Sequence, residues 1–98
     1  MRSKGKISNA LEIMRSRYFK DAQRLADLEA ARVNAEAARL IYSLRTDAGL
    51  SQQQLAELIG TTQSVISRLE DDDYEGHSLS MLSKIAGVLK KRLILKAE

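Results

Sequence analysis

Gln52-Gln53-Gln54-Leu55-Ala56-Glu57-Leu58-Ile59-Gly60-Thr61-Thr62-Gln63-Ser64-Val65-Ile66-Ser67-Arg68-Leu69-Glu70-Asp71 is the stretch on which the fold of this chain turns. Ser51, with Gln54 three residues on, has the form of a capping box, so a helix starts there. It carries Leu55, Ala56, Leu58 and Ile59 and stops at Gly60. The chain must turn at Gly60, and a positive φ is unstrained there because glycine has no Cβ. Thr61-Thr62 supplies the next cap, and the pattern predicts a second helix from Gln63 to Asp71. Two short helices that cross closely need a small residue at the crossing, and Ala56 meets that need. Leu55, Ile66 and Leu69 are apolar where a shared core would lie.

The second helix has two faces of different chemistry. Thr62, Val65, Ile66 and Leu69 recur at i, i+3, i+4 and i+7, the spacing of an inward stripe. Gln63, Ser64, Ser67 and Arg68 form the opposite face, with no apolar residue among them. A helix that lies in the major groove of double-stranded DNA needs such a face. Gln pairs bidentately with adenine there, and Arg with guanine. Ser51, Gln52 and Thr62 stand at helix N-termini, where backbone N–H groups favour a phosphate. An ordinary solvated face would have the same composition; the Ala56–Gly60–Ile66 spacing is what favours base contact.

Upstream, Asp21 to Ala48 contains no Gly and no Pro and is rich in strong helix formers. Leu25, Leu28, Val33, Ala37, Leu40, Ile41, Leu44 and Ala48 keep a three-or-four spacing, which predicts one long helix or two nearly collinear ones. Gly49 stands where a left-handed C-cap is wanted. The stripe is thinner before Val33, so that part needs a second surface, from its own chain or from a partner. A short helix is expected from Asn9, with Glu12 as capping partner and Leu11, Met14 and Tyr18 at helical spacing. Residues 1–6 read as a mobile basic arm of Arg2, Lys4 and Lys6, either a solubilising tail or a DNA contact.

Downstream, Asp72 to His77 reads as a polar loop. Ser78 caps a further helix, Leu79 to Leu89, with Leu79, Leu82, Ile85, Ala86 and Leu89 inward. Arg92 to Lys96 is too short for a helix and reads as a strand. Proteins rarely leave a strand edge open, so this strand is expected to pair with its copy in a two-fold homodimer. The N-terminal helices are the alternative dimer interface.

Composition narrows the function. Ninety-eight residues, 44% hydrophobic and 30% charged, suffice for one small domain with an arm. With 4% aromatics and no Trp, the core must be aliphatic. The absence of Cys excludes a disulfide scaffold, a thiol enzyme and a zinc finger. The lone His77 reads as a loop residue and leaves no basis for a His metal site or a Ser–His pair. Asp71 to Asp73 lack the alternating ligands of a calcium loop and read as a solvated acidic loop. No nucleophile–base pair, carboxylate pair or phosphate loop stands out, so neither an enzyme nor a cofactor is expected. No apolar run reaches the ~20 residues of a membrane span, and Met1 to Met14 shows no signal-peptide pattern, so the cytoplasm is the expected compartment.

Charge is unevenly placed along the chain. Residues 1–48 hold ten basic and six acidic side chains. Residues 49–89 hold only Arg68 and Lys84 against six carboxylates, and residues 90–98 hold four basic side chains and one acidic. The basic ends suit an anion, whereas the middle must act through placement and not through bulk charge.

The words Gly49-Leu50-Ser51-Gln52, Leu55-Ala56, Ile59-Gly60-Thr61-Thr62-Gln63-Ser64 and Ile66-Ser67-Arg68-Leu69-Glu70 resemble the Xre/Cro-type helix-turn-helix family of phage repressors and bacterial regulators, over residues 38–89. The resemblance implies an all-α, phage-repressor-like bundle. It places a phosphate-anchoring Gln at Gln52, base-reading positions at Gln63, Ser64, Ser67 and Arg68, and a structural ion pair at Arg45 and Glu70. More narrowly, the chain resembles HigA-type antitoxins, which carry a helical extension before the domain, as residues 9–37 would here, and often end in a strand like Leu93 to Leu95. The expected organisation is an arm and helical extension over 1–37, then a helix-turn-helix domain with a C-terminal strand over 38–98. The expected function is that of a dimeric transcriptional repressor on a palindromic operator. The alternative is an antitoxin that neutralises a small RNase-type toxin and autoregulates its operon, although the Arg15, Arg17, Lys20 and Arg24 cluster suits a basic RNase poorly. The chain departs from the family pattern at Asp71-Asp72-Asp73 and Glu75, an acidic loop that must face away from DNA.

Overall fold

Four helices make up the regular structure of the described residues: α1 (Arg2–Asp47), α2 (Gln52–Ile59), α3 (Gln63–Leu69) and α4 (Leu79–Val88). The computed structural model describes residues 2–98, with side chains from Asn9 onward; the side chains of the expected basic arm, Arg2, Lys4 and Lys6, lie outside the described residues. The chain divides into two units, Met1–Ala30 and Ala31–Glu98.

The described residues of the first unit are helix alone. The helix start expected at Asn9 is not there; Asn9 lies inside α1. A glycine in a helix interior costs about 1 kcal/mol, and Gly5 does not interrupt the helix. Every side chain from Asn9 to Ala30 is exposed, Leu11, Met14, Tyr18, Phe19, Leu25 and Leu28 included.

The second unit holds the core, and it is aliphatic. Ile41, Leu55, Ala56, Ile59, Ile66, Leu69 and Ile85 form one buried cluster, with Leu44, Val65, Tyr74, Met81, Leu82 and Leu89 packed against it. Leu79, expected inward, is instead 59% exposed. It is the first residue of α4, one turn before the packed Leu82. Each short helix is opened by a hydroxyl: Ser51, Thr62 and Ser78 accept from the backbone N–H groups of Gln54, Val65 and Met81. Gly49, at φ 71°, closes α1 as expected, and Gly60, at φ 76°, closes α2.

The expected C-terminal strand is absent among the described residues: Arg92 to Lys96 belongs to no helix or strand. A strand takes its hydrogen bonds from a neighbouring strand, and the described residues include no strand beside it. Lys90, at φ 60°, ends α4, with its N–H on the Gly87 carbonyl (3.1 Å) and the Lys91 N–H on the Ala86 carbonyl (2.8 Å). Among the described residues, no helix is long and apolar enough to cross a membrane.

Candidate nucleic-acid interface

The α2–α3 corner is fixed by its smallest residues. Ala56 is fully buried beneath the crossing, next to Leu55 and Ile66, which are also fully buried. At the turn, the Gly60 N–H donates to the Glu57 carbonyl (3.3 Å) and the Thr61 N–H to the Ala56 carbonyl (2.9 Å). That pair of bonds needs a left-handed residue at Gly60, and it satisfies carbonyls that would otherwise end α2 unpaired. Thr62 is extended at φ −110°, and its Oγ1 accepts from the Val65 N–H (3.4 Å), so α3 starts within a few residues of the end of α2.

This geometry turns one face of α3 outward. Ile66 and Leu69 are buried and Val65 is half-buried, while Gln63, Ser64, Ser67 and Arg68 are all exposed. Seven residues make a helix about 10 Å long. Four hydrogen-bonding side chains therefore line one short exposed ridge, with Arg68 as its cation.

Ser51 caps α2 reciprocally. Its Oγ accepts from the Gln54 N–H (3.1 Å), and its own N–H donates to Gln54 Oε1 (2.9 Å). Gln52, the next residue, is half-buried, and its Nε2 donates to Glu70 Oε1 (3.3 Å). Glu70 in turn takes two bonds from Arg45, Nε to Oε2 at 2.7 Å and Nη2 to Oε1 at 2.9 Å. The third arm of Arg45, Nη1, donates to the Leu50 carbonyl (2.8 Å), and Cζ lies 5.3 Å from the Tyr42 ring centre. The hydrogen bond to Glu70 holds the Arg45 guanidinium above its ordinary pKa, against a smaller opposing effect of burial. One buried carboxylate thus ties the end of α1, the start of α2 and the end of α3 together.

The model of the helix-turn-helix family matches residues 41–95. The chain belongs to the helix-turn-helix family. Its members of this Xre/Cro-like type are DNA-binding transcription regulators. Comparison with curated proteins and with solved structures returned no match.

Within the helix-turn-helix unit, Gln63, Ser64, Ser67 and Arg68 come together on one exposed face, and Thr62 is exposed at its N-terminal end. Ser51 and Gln52 belong to the other helix, and the Gln52 amide is turned to Glu70. The acidic loop leaves the opposite end of α3: Asp71 Oδ1 accepts from the Asp73 N–H (2.9 Å), and Asp71, Asp72, Asp73 and Glu75 are exposed. It therefore lies about the length of α3 from Thr62 and Gln63.

Sequence reasoning gave His77 no task beyond its loop. The structure gives it one. Its Nε2 meets the Leu69 carbonyl at 2.6 Å, and its ring meets that of Tyr74 edge-on at 5.1 Å between centres. A carbonyl only accepts, so Nε2 carries the proton and caps the last buried residue of α3. Nothing in the local pattern signals this bond, because its partner is eight residues away.

Proposed function

We propose that this helix-turn-helix protein is a sequence-specific transcriptional repressor that binds a palindromic operator as a homodimer. The exposed polar ridge of α3 carries the reading, because its base-pairing side chains point outward while Ile66 and Leu69 anchor the same helix. Gln63, Ser64, Ser67 and Arg68 read base edges in the major groove. Ser51, Gln52 and Thr62 hold phosphates at the starts of α2 and α3, where unpaired N–H groups gather. The partner is double-stranded DNA in the cytoplasm, and the protein works without a cofactor and without catalysis. Residues 38–98 form the DNA-binding domain, and residues 1–37 its extension.

A second reading is favoured by the exposed apolar residues of α1 between Leu11 and Leu28. In that reading the chain is an antitoxin whose extension covers a toxin while the domain represses its own operon. Selection of bound DNA from random oligonucleotides tests the first reading. The expected product is a two-fold symmetric site with half-sites about 10 base pairs apart or a multiple of that spacing. Recovery of no enriched sequence would overturn it.

A further inference from the structure

Five of the exposed large apolar residues of the first unit share one face of α1, while Ile13 and Phe19, also exposed, lie off it. Leu11, Met14, Tyr18, Leu25 and Leu28 follow a four-three alternation, which Ile7 begins on the sequence and Asp21 interrupts once. In heptad terms Leu11, Tyr18 and Leu25 fall at a, and Ile7, Met14, Asp21 and Leu28 at d. A four-three alternation of this kind is the seam that a second helix of the same kind covers. Leu11, Met14, Tyr18, Leu25 and Leu28 are between 47% and 71% exposed, so nothing among the described residues of the unit covers them.

We propose that residues 11–28 form a parallel two-stranded coiled coil with the same residues of a second copy. This rests on the dimeric reading above and names the surface that joins the two copies. The flanking charges select the partner and its direction. In a parallel pair, each g position faces the e position of the following heptad in the other strand. Arg24 then meets Glu29 of the other copy, Arg17 meets Ala22, and Ala10 meets Arg15, so no like charges face each other along these flanks. An antiparallel pair in the register that matches the seam residues sets Arg17 against Arg24 twice, along the flank where g positions face each other. Asp21 is the one polar layer. Its two carboxylates face each other in the aligned pair and weaken it.

Sedimentation of the full chain without DNA tests the interface, and oligonucleotide selection on the same preparations keeps the two readings apart. The wild type is expected to be a dimer at micromolar concentration. Asp21→Leu is expected to tighten it by about tenfold or more, because an apolar layer replaces two facing carboxylates. Leu25→Glu with Leu28→Glu is expected to give a monomer whose circular dichroism still shows a folded α2–α4 domain. The chain has no cysteine, so single thiols report geometry directly. Leu25→Cys is expected to cross-link under mild oxidant, and Ser16→Cys, on the outer face, is not. A monomeric wild type that Asp21→Leu leaves monomeric would overturn the inference, and so would a dimer indifferent to Leu25→Glu with Leu28→Glu. Cross-linking only between mixed Met14→Cys and Leu25→Cys chains would overturn the parallel direction. If these fail while a DNA motif is still selected, the interface is wrong and the operator reading stands. A seam dimer that selects no DNA leaves the interface in place and overturns the operator reading.

Discussion

Arg45 and Glu70, twenty-five residues apart, share two hydrogen bonds of 2.7 and 2.9 Å, with side chains 12% and 6% exposed. Removing one partner leaves the other charge shut away from water, which costs far more than the intact pair contributes. Arg45→Ala and Glu70→Ala are each expected to lower unfolding stability by roughly 3 kcal/mol. The double variant Arg45→Met with Glu70→Leu is expected to lose clearly less than the sum. Urea unfolding measures all three, and strict additivity would show that the pair does not act as a unit. Because the hydrogen bond raises the Arg45 pKa, its contribution is complete below the ordinary arginine pKa. Stability is not expected to fall through this group between neutral and moderately alkaline pH.

Lys90 occupies a left-handed position at φ 60°, where a side chain strains the backbone. Lys90→Gly is expected to stabilise the protein by about 1 kcal/mol. Gly60→Ala is expected to do the opposite by about 1–2 kcal/mol, since φ is 76° but a Cβ there meets nothing within 4 Å. Thermal denaturation of both variants gives the signs, and a destabilising Lys90→Gly would contradict the helix end described above.

Gly76 is needed for a different reason. A Cβ at that position would run into the Tyr74 ring, which packs on the core and against His77. Gly76→Ala is expected to cost about 1–3 kcal/mol by overpacking. Chemical denaturation checks it, and a neutral result would mean that the loop yields freely.

The acidic loop leaves the C-terminal end of α3, next to Arg68 and about one screening length at physiological salt from Thr62 and Gln63. Replacing Asp72 and Asp73 with Asn is expected to raise DNA affinity less than tenfold and equally for all sequences. A titration on matched and random duplexes would show this. A change in sequence preference would place the loop on the DNA.

The domain was legible because its signals are local. Ser51, Thr62 and Ser78 announce their helices within four residues, and Gly49 and Gly60 close theirs. The ridge of Gln63, Ser64, Ser67 and Arg68 followed from helical spacing once Ile66 and Leu69 were assigned inward. The Arg45–Glu70 contact came only from family resemblance, since its partners are distant in sequence. Tertiary bonds such as His77 to Leu69, and the engagement of Gln52 by Glu70, leave no periodic trace. Arg92 to Lys96 carries an apolar run, Leu93-Ile94-Leu95, in which only Ile94 is β-branched, yet a strand is defined by a partner, and composition does not supply one.

The division of labour between α3 and the start of α2 is tested most directly by Arg68→Ala and Gln52→Ala on the selected site and on its single-base variants. Arg68→Ala is expected to cost about 1–3 kcal/mol on the cognate site and to relax preference at one base pair in each half-site. Gln52→Ala is expected to weaken binding to all the duplexes alike and to leave the order of preference unchanged. Indistinguishable effects of the two substitutions on specificity would contradict the assignment of α3 as the reading helix.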